Sequence, residues 1–157
     1  MHTAQKATGV SLLLSALIAG VAVHAQVPPA STLPPAVLGQ WVTKNHKGVF
    51  EIAPCGTHLC GTLVGLDYSD SVPRDRTGRP ECGLPMLRDF ARDPEQADRW
   101  NGSILDPNTN HVYQARIWVN QAGQLKLRGY LGIPLFGQTQ TWLPYGGHIG
   151  PNCRMTP

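Results

Sequence analysis

The chain has 157 residues, of which 41% are hydrophobic and 15% charged, and a formal net charge of +3. So small a charge leaves no electrostatic footprint for nucleic acid or an anionic membrane surface. The Lys and Arg residues are scattered and do not interleave with aromatics along one groove, so no nucleic-acid partner is expected.

The N-terminus comes first. Lys6 is followed by an uncharged stretch from Ala7 to Val23, centred on Leu12-Leu13-Leu14, and then by Val23-His24-Ala25. A basic start, an apolar run and a small-residue site predict a secretory signal peptide over residues 1–25. The protein is therefore expected in the periplasm or outside the cell. The apolar run is short for a span of about 20 residues, and Pro28-Pro29 would break a helix directly after it. No membrane span is expected after processing. Residues 26–37 contain Pro28, Pro29, Pro34 and Pro35 and no charge, and read as a flexible or polyproline-like leader. The remainder suits a single domain over residues 38–144 with a C-terminal tail over 145–157.

Within that domain, short alternating runs are separated by Gly, Asn, Asp and Pro, the signature of strands and turns. Strands are predicted over Leu38–Thr43, Val49–Ala53, Leu59–Leu66, Trp100–Leu105, His111–Val119, Gln124–Leu131 and Gly137–Leu143. Alternation puts Phe50 and Ile52 on one face of the second strand. Tyr113, Ala115, Ile117 and Val119 share a face of the fifth. The predicted fold is all-β: an antiparallel up-and-down barrel of seven or eight strands, with a sandwich as the other architecture. Closure removes the exposed edges of such a meander, and about eight strands enclose packed side chains or one small ligand.

The segment from Asp67 to Arg99 lacks the strand pattern and reads as one long loop, with an apolar island at Cys82–Leu87 and a helical turn or two within Arg88–Ala97. Such a loop is either a solvated excursion or a lid over the barrel mouth.

Cys55, Cys60, Cys82 and Cys153 all follow the signal peptide, and an even count in an oxidising compartment points to disulfides. Three pairings are possible. Cys55 and Cys60 bracket a four-residue turn and would face each other across a hairpin, leaving Cys82 for Cys153. A metal site would need tighter Cys spacing and four clear ligands, so no metal is expected.

Several short motifs occur in a particular order. They are Gly39-Gln40-Trp41, Pro54-Cys55-Gly56, Leu59-Cys60-Gly61, Cys82-Gly83-Leu84-Pro85, Arg128-Gly129-Tyr130-Leu131-Gly132 and Gly137 through Trp142. This series resembles the exported bacterial family known as domain of unknown function 2147, over roughly Leu38 to Leu143. The resemblance implies a lipocalin-like barrel that binds small apolar molecules, and it carries no established biochemical activity.

Catalytic chemistry finds no support in the residues. His46, His58, His111 and His148 sit in or beside predicted turns and the tail, outside any His-Glu-x-x-His spacing. There is no Gly-x-Ser-x-Gly elbow. Asp67, Asp70 and Asp75 lack the ligand alternation of a calcium loop and read as a solvated acidic stretch. No enzyme activity and no cofactor are expected. The expected function is binding of an apolar or amphipathic molecule by Trp41, Phe50, Ile52, Tyr113, Ile117, Leu127, Arg128 and Tyr130. Arg128 and Tyr130 share one strand face. If that face is internal, Arg128 is a buried cation in need of a ligand carboxylate. Parity with Leu125 and Leu127 inside favours solvent. The other expected function is a non-catalytic cell-envelope module that docks a partner through the 67–99 loop.

Overall fold

The structure, a computed structural model, describes residues 35–156. The expected signal peptide and most of the expected proline-rich leader lie outside those residues. Eight strands form a closed antiparallel barrel in chain order, β1(Gly39–Val42), β2(Gly48–Cys55), β3(His58–Leu66), β4(Pro85–Arg92), β5(Arg99–Leu105), β6(Val112–Val119), β7(Leu125–Tyr130) and β8(Gln138–Pro144). Trp41 pairs with Pro144 and Val42 with Leu143, so the last strand closes on the first and the sheet has no free edge. This is the expected up-and-down barrel.

The meander puts its connections at two ends. One end carries the tight β2–β3 turn at Gly56-Thr57, the β4–β5 turn and the β6–β7 turn at Asn120–Gly123. The other carries the β1–β2, β3–β4, β5–β6 and β7–β8 loops. The first end is closed. There Trp41, Ile52, Leu59, Phe90, Ile117 and Leu125 are all buried in one apolar cluster. Trp41 donates its indole N–H to the Val37 carbonyl at 2.9 Å. Val37 is itself buried in that cluster. The leader expected to extend to residue 37 therefore ends earlier: its last residues turn through a hydrogen bond from the Leu38 N–H to the Pro35 carbonyl and plug the barrel.

The 67–99 loop is corrected. Residues Pro85–Arg92 form β4, a wall of the barrel, and the helical turns expected within 88–97 do not form. The pairing of β4 with β5 slips between Arg88 and Ala91, and Asp89 has φ of 56°. This is a β-bulge. It leaves Leu87 and Phe90, three residues apart, both buried against the interior. The period of two that marks a strand is lost in the sequence for this reason.

The true loop, residues 67–84, is held at several points. The Asp75 side chain is buried and accepts hydrogen bonds from the Thr77 hydroxyl, the Thr77 and Arg79 backbone N–H groups and the Arg79 guanidinium. It is not the solvated carboxylate expected. Burial opposes its ionisation, but these hydrogen bonds outweigh it and lower the pKa to about 2. Lys47 pairs with Asp67. Cys82 is bonded to Cys153, with Cα atoms 5.6 Å apart, and Cys55 to Cys60 across the β2–β3 hairpin. Both pairings match expectation. The tail adds a small hairpin, β9(His148–Ile149) and β10(Met155–Thr156). Arg154 donates to the Tyr68 and Ser69 carbonyls and lies over the Tyr68 ring, so the tail and the loop brace each other.

Candidate ligand cavity in the open half of the barrel

Inward positions of all eight strands decide what the barrel encloses. In the closed half, large side chains fill the space left by small ones. A Cβ on Gly61 would lie 2.5 Å from Leu87 Cδ1, and one on Gly102 would lie 2.7 Å from the Phe90 ring. These two glycines are seats for β4 side chains. In the open half nothing fills the corresponding space. A Cβ on Gly129 would meet only Ile104 Cγ2, at 3.8 Å. Gly129 thus faces a void, and a cavity of about 730 Å³ opens from here to the mouth.

Its floor is the pair Phe50 and Trp142, stacked with ring centroids 4.6 Å apart and planes 18° from parallel. Leu63, Met86, Leu105, Tyr113 and Leu127 form the apolar wall. β8 contributes the polar part. Its register pairs Gln138 with Gly129, Gln140 with Leu127 and Trp142 with Leu125, so all three β8 residues face inward. The Trp142 indole N–H donates to Gln140 Oε1 at 2.9 Å. Gln138 and Gln140 both count as exposed although they point into the barrel, because the cavity is open to water.

The charged groups on the lining, Lys47, Glu81 and Asp106, all lie on the mouth loops. Asp106 accepts from the Asn108 N–H and the Thr109 hydroxyl. Burial is opposed there too, and the Thr109 and Asn108 hydrogen bonds hold its carboxyl below the usual range. Glu81 is shifted the other way, raised by burial and then by the charge of Asp75. Beside them the β7–β8 loop projects Leu131, Ile133, Leu135 and Phe136 into solvent, Leu135 at 75% and Phe136 at 79% exposure.

The expected ligand residues divide into three groups. Phe50, Tyr113, Leu127 and Tyr130 lie on the cavity. Trp41, Ile52 and Ile117 do not; they belong to the packed end, where close packing leaves no room for a guest. Arg128 is on the outer face. Its guanidinium donates to the Pro134 carbonyl at 2.6 Å, the Leu135 carbonyl at 3.1 Å and the Thr139 hydroxyl at 2.7 Å. Loop oxygens thus occupy the place imagined for a ligand carboxylate, and the internal reading of Arg128 is corrected. Sequence reasoning passed over Met86, Gln138, Gln140 and Trp142 as lining residues. The β8 residues carry a readable signal, alternation of Gln138, Gln140 and Trp142 with Thr139 and Thr141. Met86 precedes the bulge and carries none. Among the described residues no cluster of His, Cys, Asp and Glu has the geometry of a metal site, and no helix is long and apolar enough to cross a membrane.

An eight-stranded antiparallel barrel with one plugged end and an open cavity at the other is a lipocalin-like barrel. The chain is similar in fold to protein HP1028 from Helicobacter pylori, described as belonging to the lipocalin family, with a TM-score of 0.58 and 16% sequence identity over 69% of this chain and 82% of that one. Residues 39–143 match the model of the family described as uncharacterized protein conserved in bacteria (DUF2147), and the chain belongs to that family. No curated protein matches the chain.

Proposed function

We propose that the chain is an exported, periplasmic or secreted binding protein that carries one small apolar or amphipathic molecule in the open half of its barrel and catalyses no reaction on it. The observation that carries this reading is the 730 Å³ cavity, with an apolar floor and wall, neutral polar side chains on β8 and charged ones confined to the mouth loops. Ligand sites are typically about 300–1,000 Å³ and have this mixed lining. The two disulfides are compatible with an oxidising compartment, and the lipocalin-like fold is compatible with a small ligand.

The test is native mass spectrometry on protein purified from the periplasm without detergent, paired with titration of a fluorescent naphthylamine probe. The expected result is an extra mass that leaves on denaturation, and one saturable probe site on emptied protein. Ligand-free masses together with no probe binding would overturn the reading.

A second reading, a surface that docks a partner, draws support from the exposed apolar residues Leu131, Ile133, Leu135 and Phe136. It draws none from the 67–99 segment as a whole, since residues 85–92 are barrel wall.

A further inference from the structure

The charges around the cavity narrow the class of molecule it accepts, provided the binding reading above holds. An anionic ligand, such as a carboxylate or phosphate amphiphile, would need a cation or several donors to replace its lost hydration. The two cations of β7 are turned away and engaged. Arg128 and Lys126 lie on the outer face of β7, Arg128 on the loop carbonyls and Lys126 on Gln124 and the Thr141 hydroxyl. Lys47, at the mouth, is paired with Asp67. The remaining charged lining groups, Glu81 and Asp106, are carboxyls. Among the described residues, an entering anion meets Glu81 and Asp106 beside the paired Lys47 at the mouth, and no cation lines the cavity further in.

The inward polar groups are neutral instead. Gln140 has its carbonyl oxygen occupied by the Trp142 indole N–H, which leaves its NH₂ as the group offered to a guest. Gln138 lies on the same face one pair nearer the mouth. Below them the stacked Phe50 and Trp142 rings give a flat apolar floor. We propose that this site discriminates against anionic amphiphiles: the apolar body lies on Phe50, Leu127 and Trp142, and a neutral hydroxyl, ester or amide oxygen accepts from Gln140 and Gln138, while the matching carboxylate is rejected.

The experiment is displacement of a neutral naphthylamine probe by 1-decanol and by decanoate, at neutral pH and below the micellar range. Decanol is expected to displace the probe at a concentration at least about tenfold below that of decanoate. Gln140→Leu should weaken decanol several-fold while probe binding persists, which shows the cavity intact. Gln140→Arg, and independently Gln138→Arg, should reverse the order by supplying the missing cation. Decanoate binding as tightly as decanol to the wild type, or Gln140→Leu leaving decanol unchanged, would overturn the inference while the binding reading stands. Failure of the probe itself to bind would overturn both.

Discussion

The two halves of this barrel share the same eight strands and differ in what fills them. In the closed half Gly61 and Gly102 are occupied by Leu87 and Phe90 of β4, and Trp41 is tied to Val37. In the open half Gly129 faces a void above the Phe50–Trp142 stack, and β8 turns Gln138 and Gln140 inward where another strand would turn Leu or Val. The β-sheet makes the container, and a few small and polar residues on one side of its midline keep half of it empty. Stability should therefore reside in one half and binding in the other, and substitutions can set the two apart.

The largest effect is expected at Phe90. Phe90→Ala empties the seat over Gly102 and should cost about 3–5 kcal/mol, read as a fall in the urea midpoint at unchanged slope. Next comes the bond between the loop and the tail. Cys82→Ala with Cys153→Ala opens a link between residues 71 apart in sequence and should cost about 2–5 kcal/mol, with the 67–84 loop becoming the first site of proteolysis. Filling the closed half should be nearly as harmful. Gly61→Val places its side chain on Leu87 and should cost about 1–3 kcal/mol through overpacking, again by urea unfolding.

Much of the fold was legible in the sequence, and the reason is alternation. β6 and β7 each show one clean apolar face, and the Cys55–Cys60 bracket marks its hairpin. β4 was not legible, because a bulge at Arg88–Asp89 brings Leu87 and Phe90 to the same side with a spacing of three. With β4 hidden, Gly61 and Gly102 looked like ordinary strand glycines and could not be recognised as seats. The candidate site was legible only in part for the same reason. Phe50, Tyr113 and Leu127 follow from parity, but which inward residues pack and which stay open depends on what crosses from other strands. Trp41, Ile52 and Ile117 have the same parity as the cavity residues, and Trp41 is even paired with Phe50 and Ile117 with Leu127. Sequence alternation does not report which inward side chains other strands cover. Parity favoured solvent for Arg128, although it also stood among the expected ligand residues, and its anchor, a loop folded back so that Pro134 and Leu135 offer their carbonyls, depends on the turn between β7 and β8.

Acid should act on the loop through Asp75. The Asp75 carboxyl is held at about 2, below its ordinary 3.8. A depressed carboxyl contributes its stability above the unfolded value and loses it as pH falls through the folded one. The 67–84 loop should thus hold firm at neutral pH and loosen between about pH 4 and 2, seen as loss of amide protection relative to the intrinsic exchange rate at Thr77 and Arg79. Asp75→Asn should bring that loss of protection to neutral pH.

The division into a packed and an open half is tested most directly at Gly129. Probe titration and urea unfolding of Gly129→Leu should be run beside the wild type. A leucine there grows into the void, so probe affinity should fall several-fold while stability stays within about 1 kcal/mol of the parent or rises. Undiminished probe binding by Gly129→Leu, or a collapse of stability comparable to that of Gly61→Val, would contradict the claim that this half of the barrel is hollow and is the place where a ligand sits.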